Sequence, residues 1–334
     1  MSIEIPIIDA HGHFGRHMKG PLNRLEDYQN ESPKSVLHSV ISPGPTPLYV
    51  RPGDDRLYVP ARWIRNSTDG TFKYVQQYWD SKSLDVLEEH ASSLNPYMET
   101  NNYWLNRAEE TNNTHNNHNV IHIMPIHHPI LDTVDEVKRL LYDSRTIALK
   151  VHGAACAVTP NDIKPEVIDL LKSANKPIIV HTDYNVQEPQ TNLQYIYRMN
   201  DPRKWVEWAK SIGIKTLITH AARLSQEAIS AAKGCDNIVF GYGPDLLIMA
   251  EQDRLFKRTD NLMLDFFKLM LPEQADQIVF DFDFGWNTKT RKDREKRDWS
   301  MPERSIEAVE SLGYDRKIVN KILHNNAARF FDID

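Results

Sequence analysis

Residues 5–13 read Ile-Pro-Ile-Ile-Asp-Ala-His-Gly-His. This is an apolar, β-branched run that ends in two histidines one residue apart, the pattern of a buried strand terminating in a polar site. Side chains at i and i+2 of a strand share a face, so His11 and His13 point together. Two converging imidazoles can supply two nitrogens to one metal ion. Taken alone, the pair fits equally a capped loop histidine beside a surface one.

Downstream the pattern recurs. Apolar runs at 146–151, 177–180 and 215–219 end at Lys150 with His152, at His181 and at His220, and the run 277–282 carries Asp281 and leads to Asp283. Two further runs, 35–42 and 120–126, read as strands, while 237–240 and 262–266 compete for one more, with an amphipathic segment at 246–256 between them. Helical periodicity falls at 133–142, from Thr159 or Asn161 to 174, at 201–211, 225–233, 302–312 and 316–331. Short strands alternating with helices of ten to fifteen residues predict a parallel sheet of β/α units.

Spacing then chooses between an open sheet and a closed barrel. An eight-fold β/α barrel uses roughly 31 residues per unit. Lys150 to His181 is 31 residues, His181 to His220 is 39, and His220 to Asp283 is 63. Those are one, one and two units, which place the four residues at the ends of strands 4, 5, 6 and 8 of a (β/α)8 TIM-like barrel. His13 to Lys150 is 137 residues, whereas three units need about 93. The surplus is an irregular insertion at 43–118 in the loops after the first strands, expected to cover the active-site mouth of a single 1–334 domain. Within it, 62–80 is aromatic and basic, 95–119 is rich in asparagine and threonine, and 83–93 and 104–110 read as helical pieces. Residues 14–30 read as a polar loop.

Composition narrows the class. The chain has 334 residues, 40% hydrophobic and 26% charged, with a net charge of −6 and a mean hydropathy of −0.54. These values describe a soluble globular protein and give no basic field for nucleic acid or an anionic membrane. The N-terminus carries no basic segment followed by an apolar one, and no apolar run reaches spanning length, so the expected location is the cytoplasm and no membrane is involved. Two cysteines, Cys156 and Cys235, make neither a disulfide framework nor a thiolate cluster.

Polar residues at the C-terminal ends of barrel strands face one mouth. Together, His11, His13, His181, His220 and Asp283 put five metal-competent side chains there. In Ile-Asp-Ala-His-Gly-His (8–13), Ala-Leu-Lys-Val-His-Gly (148–153), Pro-Ile-Ile-Val-His-Thr (177–182), Leu-Ile-Thr-His-Ala (217–221), Ile-Val-Phe-Asp-Phe-Asp (278–283) and Asn-Asn-Ala-Ala-Arg-Phe-Phe (325–331) the sequence resembles the amidohydrolase superfamily. Within it, the likeness is to the amidohydrolase-related group that includes the aminocarboxymuconate-semialdehyde decarboxylases. The resemblance spans both ends and all of 119–334, but not 43–118.

The resemblance implies that His11, His13, His181 and Asp283 bind one divalent metal, most simply zinc, with manganese or another divalent ion as the alternative. It further implies that His220 hydrogen-bonds the attacking water or the substrate, and that Asp283 shuttles the proton of a metal-activated water. Asp281-Phe282 stands where the superfamily usually has a small pair before the aspartate. Asp281 and Asp283 share a strand face, so either can ligate, and Asp283 is the one that matches the motif. Lys150 is either a carboxylated bridge to a second metal or a structural or substrate-contacting cation. Arg223, His152 and Trp286 are substrate-binding candidates, Arg223 as a bidentate partner for a carboxylate. His127 and His128 lie near a strand end, and the mixed-charge run 289–298 follows the last strand. The implied activity is hydrolysis of a C–N or ester/lactone bond in a small polar substrate. Its rivals are a non-hydrolytic decarboxylase with the same ligands and a catalytically inactive barrel that binds a partner. The aromatic-rich insertion would suit a homo-oligomer.

Overall fold

The computed structural model describes residues 5–16, 22–23, 25–44, 58–65, 71–78, 84–87, 94–114, 118–182, 199–243, 246, 262–283 and 299–334. Eight parallel strands form its centre: β1 Ile7–Arg16, β2 Val36–Pro43, β3 Val120–Ile123, β4 Leu149–His152, β5 Ile178–His181, β6 Thr216–Ile218, β7 Ile238–Tyr242 and β8 Ile278–Phe280. Regular ladders join β1–β2–β3 and β4 through β8. Bridges between Ile123 and Thr146 and between Ile126 and Lys150 join β3 to β4. The ring closes where the Asp283 N–H donates to the His11 carbonyl at 2.9 Å. The result is the (β/α)8 barrel expected from the spacing, with Lys150, His181, His220 and Asp283 at or just past the ends of β4, β5, β6 and β8.

Alternation along the strands sorts the core into two layers. Ile8, Val40, Met124, Ala148, Ile179, Leu217, Val239 and Val279 point inward and form one cluster with Ala327, Phe330 and Phe331 of the C-terminal helix Asn326–Phe331, which plugs the barrel floor. Their outward neighbours pack against the surrounding helices. Two residues beyond the inward layer the same face carries Lys150, His181, Thr219, Gly241 and Asp281. Barrel strands therefore hand a dry apolar layer directly to a polar one.

The helices start where their caps require. Thr133 accepts the Glu136 N–H at 3.2 Å to open Val134–Tyr142, and Asp201 accepts the Arg203 N–H at 3.0 Å to open Pro202–Ile212. Gly213 stops the latter at φ +70.

Several local expectations differ from the structure. Residues 262–266 do not form a strand; they begin the helix Leu262–Gln274, whose apolar side buries Leu262, Met263, Phe266 and Phe267. A short apolar run has no periodicity of its own, and the seventh position is taken by β7, which pairs with both neighbours. The expected helical piece at 83–93 contains the strand Leu84–Leu87, and residues 88–93 lie outside the described residues. Pairing overrides local propensity there: Tyr58–Arg65, Phe72–Tyr78 and Leu84–Leu87 make an antiparallel three-stranded sheet. The piece at 104–110 lengthens to the helix Met98–Thr114. The region read as a loop at 14–30 holds the end of β1, the strand Leu22–Asn23 and the helix Leu25–Glu31. Of the 246–256 segment only Leu246 is described, and the 289–298 run and Trp286 lie outside the described residues. No helix among the described residues is long and apolar enough to cross a membrane.

Candidate metal centre and active site

β1 delivers the first two side chains. Its pairing with β2 shifts register between Asp9 and Gly12; His11 lies within that irregularity and His13 just past it, with ring centroids 4.6 Å apart and planes at 83°. Both are buried. Donor atoms of His11, His13 and Asp283 all lie within 4.8 Å of one another, with the His13 Nε2 to Asp283 Oδ1 distance at 3.8 Å. Asp283 reaches this position from a left-handed backbone, φ 48. That conformation costs an L-residue about 1–2 kcal/mol, and it turns the carboxylate back toward β1.

A consistent proton arrangement links the neighbours of His11. The Lys150 ammonium lies 2.7 Å from its Nε2, so Nε2 accepts; Nδ1–H then donates to Asp281 Oδ1 at 2.9 Å. Burial first, then the charges of Lys150, His13, His220 and His152, holds the His11 imidazolium well below its usual range. The Asp281 contact is therefore a hydrogen bond from a neutral ring and not an ion pair. Asp281 thus contacts His11 from behind, whereas the Asp283 carboxylate lies with His11 and His13 in one group of candidate donors. Gly241 makes room for this: a Cβ there would lie 2.6 Å from Asp281 Oδ2.

His181 and His220 form the facing wall. His220 Nε2 and His181 Nδ1 are 2.8 Å apart, and the His181 ring stacks on His152 at 3.8 Å and 14°. His181 lies outside the three-residue donor group and engages these two histidines instead. Desolvation, then the charges of His152, His220, Lys150 and His13, depresses its imidazolium as well. His152 caps the turn Gly153–Cys156 by accepting the Ala155 N–H at Nδ1, 3.1 Å, which leaves the ring proton on Nε2. His220 begins a turn, His220–Leu224, in which all five residues have positive φ. The His220 ring lies 5.9 Å from that of His11. Arg223 sits on this turn, half-buried.

His127 and His128 are held away from the donor group. His127 Nδ1 donates to Asp132 at 2.8 Å, and His128 packs edge-on against Phe72. Cys156 is a buried core thiol, pushed up to about 12 by desolvation.

Sequence reading missed two supports. Asp9 is fully buried and accepts from the His11 N–H (3.2 Å), the Phe282 N–H (2.8 Å) and the Tyr28 hydroxyl (2.5 Å). Burial raises its carboxyl to about 7, against the pull of those three hydrogen bonds. The signal was present in Asp9 itself, an ionisable residue inside an otherwise apolar strand run.

The His11 and His13 rings and the Asp283 carboxylate, with His11 backed by Asp281, form a donor set that fits a divalent ion once the Lys150 ammonium gives up His11 Nε2 to it.

No family model matches the sequence, and no curated protein is similar to it by sequence. Solved structures do match. An amidohydrolase II structure aligns over 98% of this chain and 99% of its own at 12% identity, TM-score 0.54. Dihydropyrimidinase from Brevibacillus agri aligns over 98% of this chain and 71% of its own at 12% identity, TM-score 0.57. A 5-carboxyvanillate decarboxylase from Novosphingobium aromaticivorans, crystallised with manganese and a nitrobenzoic acid, aligns over 98% and 97% at 7% identity, TM-score 0.51. Strand order, the mouth at the strand ends and these alignments agree: the chain shares the (β/α)8 barrel fold of these solved structures.

Proposed function

We propose that the protein is a metal-dependent hydrolase acting on a C–N or ester/lactone bond of a small polar substrate. The observation that carries this reading is the buried convergence of His11, His13 and Asp283 at the mouth of the barrel. These three would hold one divalent ion, zinc or manganese, with His181 completing the set. When bound, such an ion supplies Lewis acidity, polarising a carbonyl and making water a better nucleophile near neutral pH.

The chain's own groups do the rest. Asp281 fixes the His11 tautomer. The Asp283 carboxylate takes a proton from the attacking water and returns it to the leaving nitrogen or oxygen. His220, held by His181, donates to the substrate oxygen as negative charge develops there. Arg223, His152 and Trp286 are proposed to touch the substrate. The 43–118 insertion is proposed to cover the mouth; in support, Tyr58–Arg65 packs on the Gly153–Cys156 turn just past His152, and Arg65 pairs with Asp162 at 3.0 Å.

Lys150 favours a second reading. Its ammonium is fully buried beside His11, a fixed positive charge suited to a substrate carboxylate, as a decarboxylase of the same fold would need.

The test is metal content per chain for wild type and Lys150→Ala, purified without chelator, followed by amide, lactone and aromatic-carboxylate panels. About one ion in each protein with turnover of amides or lactones supports the hydrolase. Carbon dioxide release without hydrolysis moves the assignment to the decarboxylase. Absence of stoichiometric metal sinks both.

A further inference from the structure

We infer that Asp9 and Tyr28 form a latch that sets the spacing of the two strands carrying the metal donors, and that Tyr28 is therefore a positioning residue for metal affinity. The inference rests on reading His11, His13 and Asp283 as a metal site. Asp9 Oδ1 accepts backbone N–H groups from both sides of the barrel seam: His11 on β1, itself a donor residue, and Phe282, the residue before Asp283. A single side chain thus ties the backbone at His11 to the backbone at Phe282, one residue before Asp283. The neighbouring main-chain bond, Asp283 N–H to the His11 carbonyl, closes the seam between the same residues.

The carboxylate can do this only if its own rotation is fixed. Tyr28 fixes it, donating to Oδ2 at 2.5 Å, and Ser39 Oγ holds the phenolic oxygen in place at 2.9 Å while also reaching Asn119 Oδ1 at 3.1 Å. Trp299 packs the assembly shut: its ring stacks on Phe282 at 3.8 Å and meets Tyr28 edge-on at 5.7 Å. Tyr28, Asp9 and Phe282 are all fully buried, so no solvent replaces a lost donor, and a carboxylate that loses one must rotate or recruit another. Either change moves the two N–H groups it holds, and with them the imidazole of His11 and the carboxylate of Asp283. Groups behind metal ligands act on affinity in this way, at about 10- to 100-fold per group removed.

The test is Tyr28→Phe, which keeps the ring against Trp299 and deletes only the hydroxyl. Affinity for Zn²⁺ and Mn²⁺ is measured by competition with a chromophoric chelator, coordination by the visible spectrum of the Co²⁺ form, and fold by the melting temperature of the metal-free protein. The expected result is binding weaker by about 10- to 100-fold and an altered Co²⁺ spectrum, with the metal-free melting temperature lowered by only about 2–4 °C. If Tyr28→Phe fails to fold, Ser39→Ala carries the same test with a smaller loss. Wild-type affinity and spectrum in the variant overturn the latch and leave the metal site standing. A wild-type protein that binds neither ion overturns both.

Discussion

Acid should destabilise the protein through His122, and replacing that residue should remove a measurable part of the effect. His122 on β3 and His38 on β2 meet with Nε2 and Nδ1 3.0 Å apart and rings stacked at 5.3 Å. Desolvation first, and the neighbouring His38 second, lowers His122 from 6.5 to about 4. Unfolded, His122 takes up its proton near 6.5; folded, it stays neutral until about 4, so the stability it contributes is present above 6.5 and lost as the pH falls toward 4. A difference of that size between the two states is worth about 3 kcal/mol. His122→Gln keeps a polar partner for His38 and removes the titration. Urea unfolding of both proteins near pH 7 and near pH 4 should therefore show wild type losing about 3 kcal/mol more than the variant over that interval. Groups not in contact with His122, including Asp9, whose raised value works in the opposite direction between 3.8 and about 7, are common to both proteins and cancel. Equal losses in the two proteins would refute the reasoning.

Three further outcomes are expected. Asp281→Asn should weaken zinc or manganese binding by about 10- to 100-fold, and Gly241→Ala, whose Cβ would crowd the same carboxylate, should weaken it in the same direction; unchanged chelator-competition curves would count against Asp281 as the orienting group. Gly243→Ala should cost about 3 kcal/mol or more in chemical unfolding, because its Cβ would overlap the Asp281 carbonyl oxygen, which is backbone and has little freedom to move. Native protein treated with iodoacetamide near pH 8 should be alkylated at the partly exposed Cys235 and not at Cys156, whose thiol is buried and titrates at about 12; peptide mapping that finds Cys156 modified at a comparable rate would contradict the buried assignment.

The barrel was legible because its strands are short, apolar and evenly spaced, and because each ends in a residue that has no reason to follow such a run except a polar site. That logic located His11, His13, Lys150, His181, His220 and Asp283. It could not resolve the roles within the set. Asp281 and Asp283 share a strand face, and only the contact of Asp281 with His11 and the left-handed turn at Asp283 separates them. Asp9 and Tyr28 lie 19 residues apart, and no periodicity connects a strand residue to a helix residue of that kind. Residues 262–266 show the other limit: five apolar residues read alike in a buried strand and on the buried side of a helix. The antiparallel sheet holding Leu84–Leu87 depends on pairing with partners that local propensity does not name.

The closure of the ring at Asp283 and His11 has a consequence for the biogenesis of the protein. His11 and Asp281 are separated by 270 residues, so the candidate donor group cannot form until the chain has been synthesised through β8. At about 5–20 residues per second, the first histidines leave the ribosome roughly 15 to 55 seconds before their carboxylate partners. The C-terminal plug, with Phe330 and Phe331 in the barrel floor, is made later still. Any ion that the proposed centre binds would therefore meet the complete donor group only after β8 has been made. Until β8 is made, the chain presents His11, His13, His181 and His220 without the carboxylates of Asp281 and Asp283, so the imidazoles are in place before the groups that would orient and complete the proposed centre.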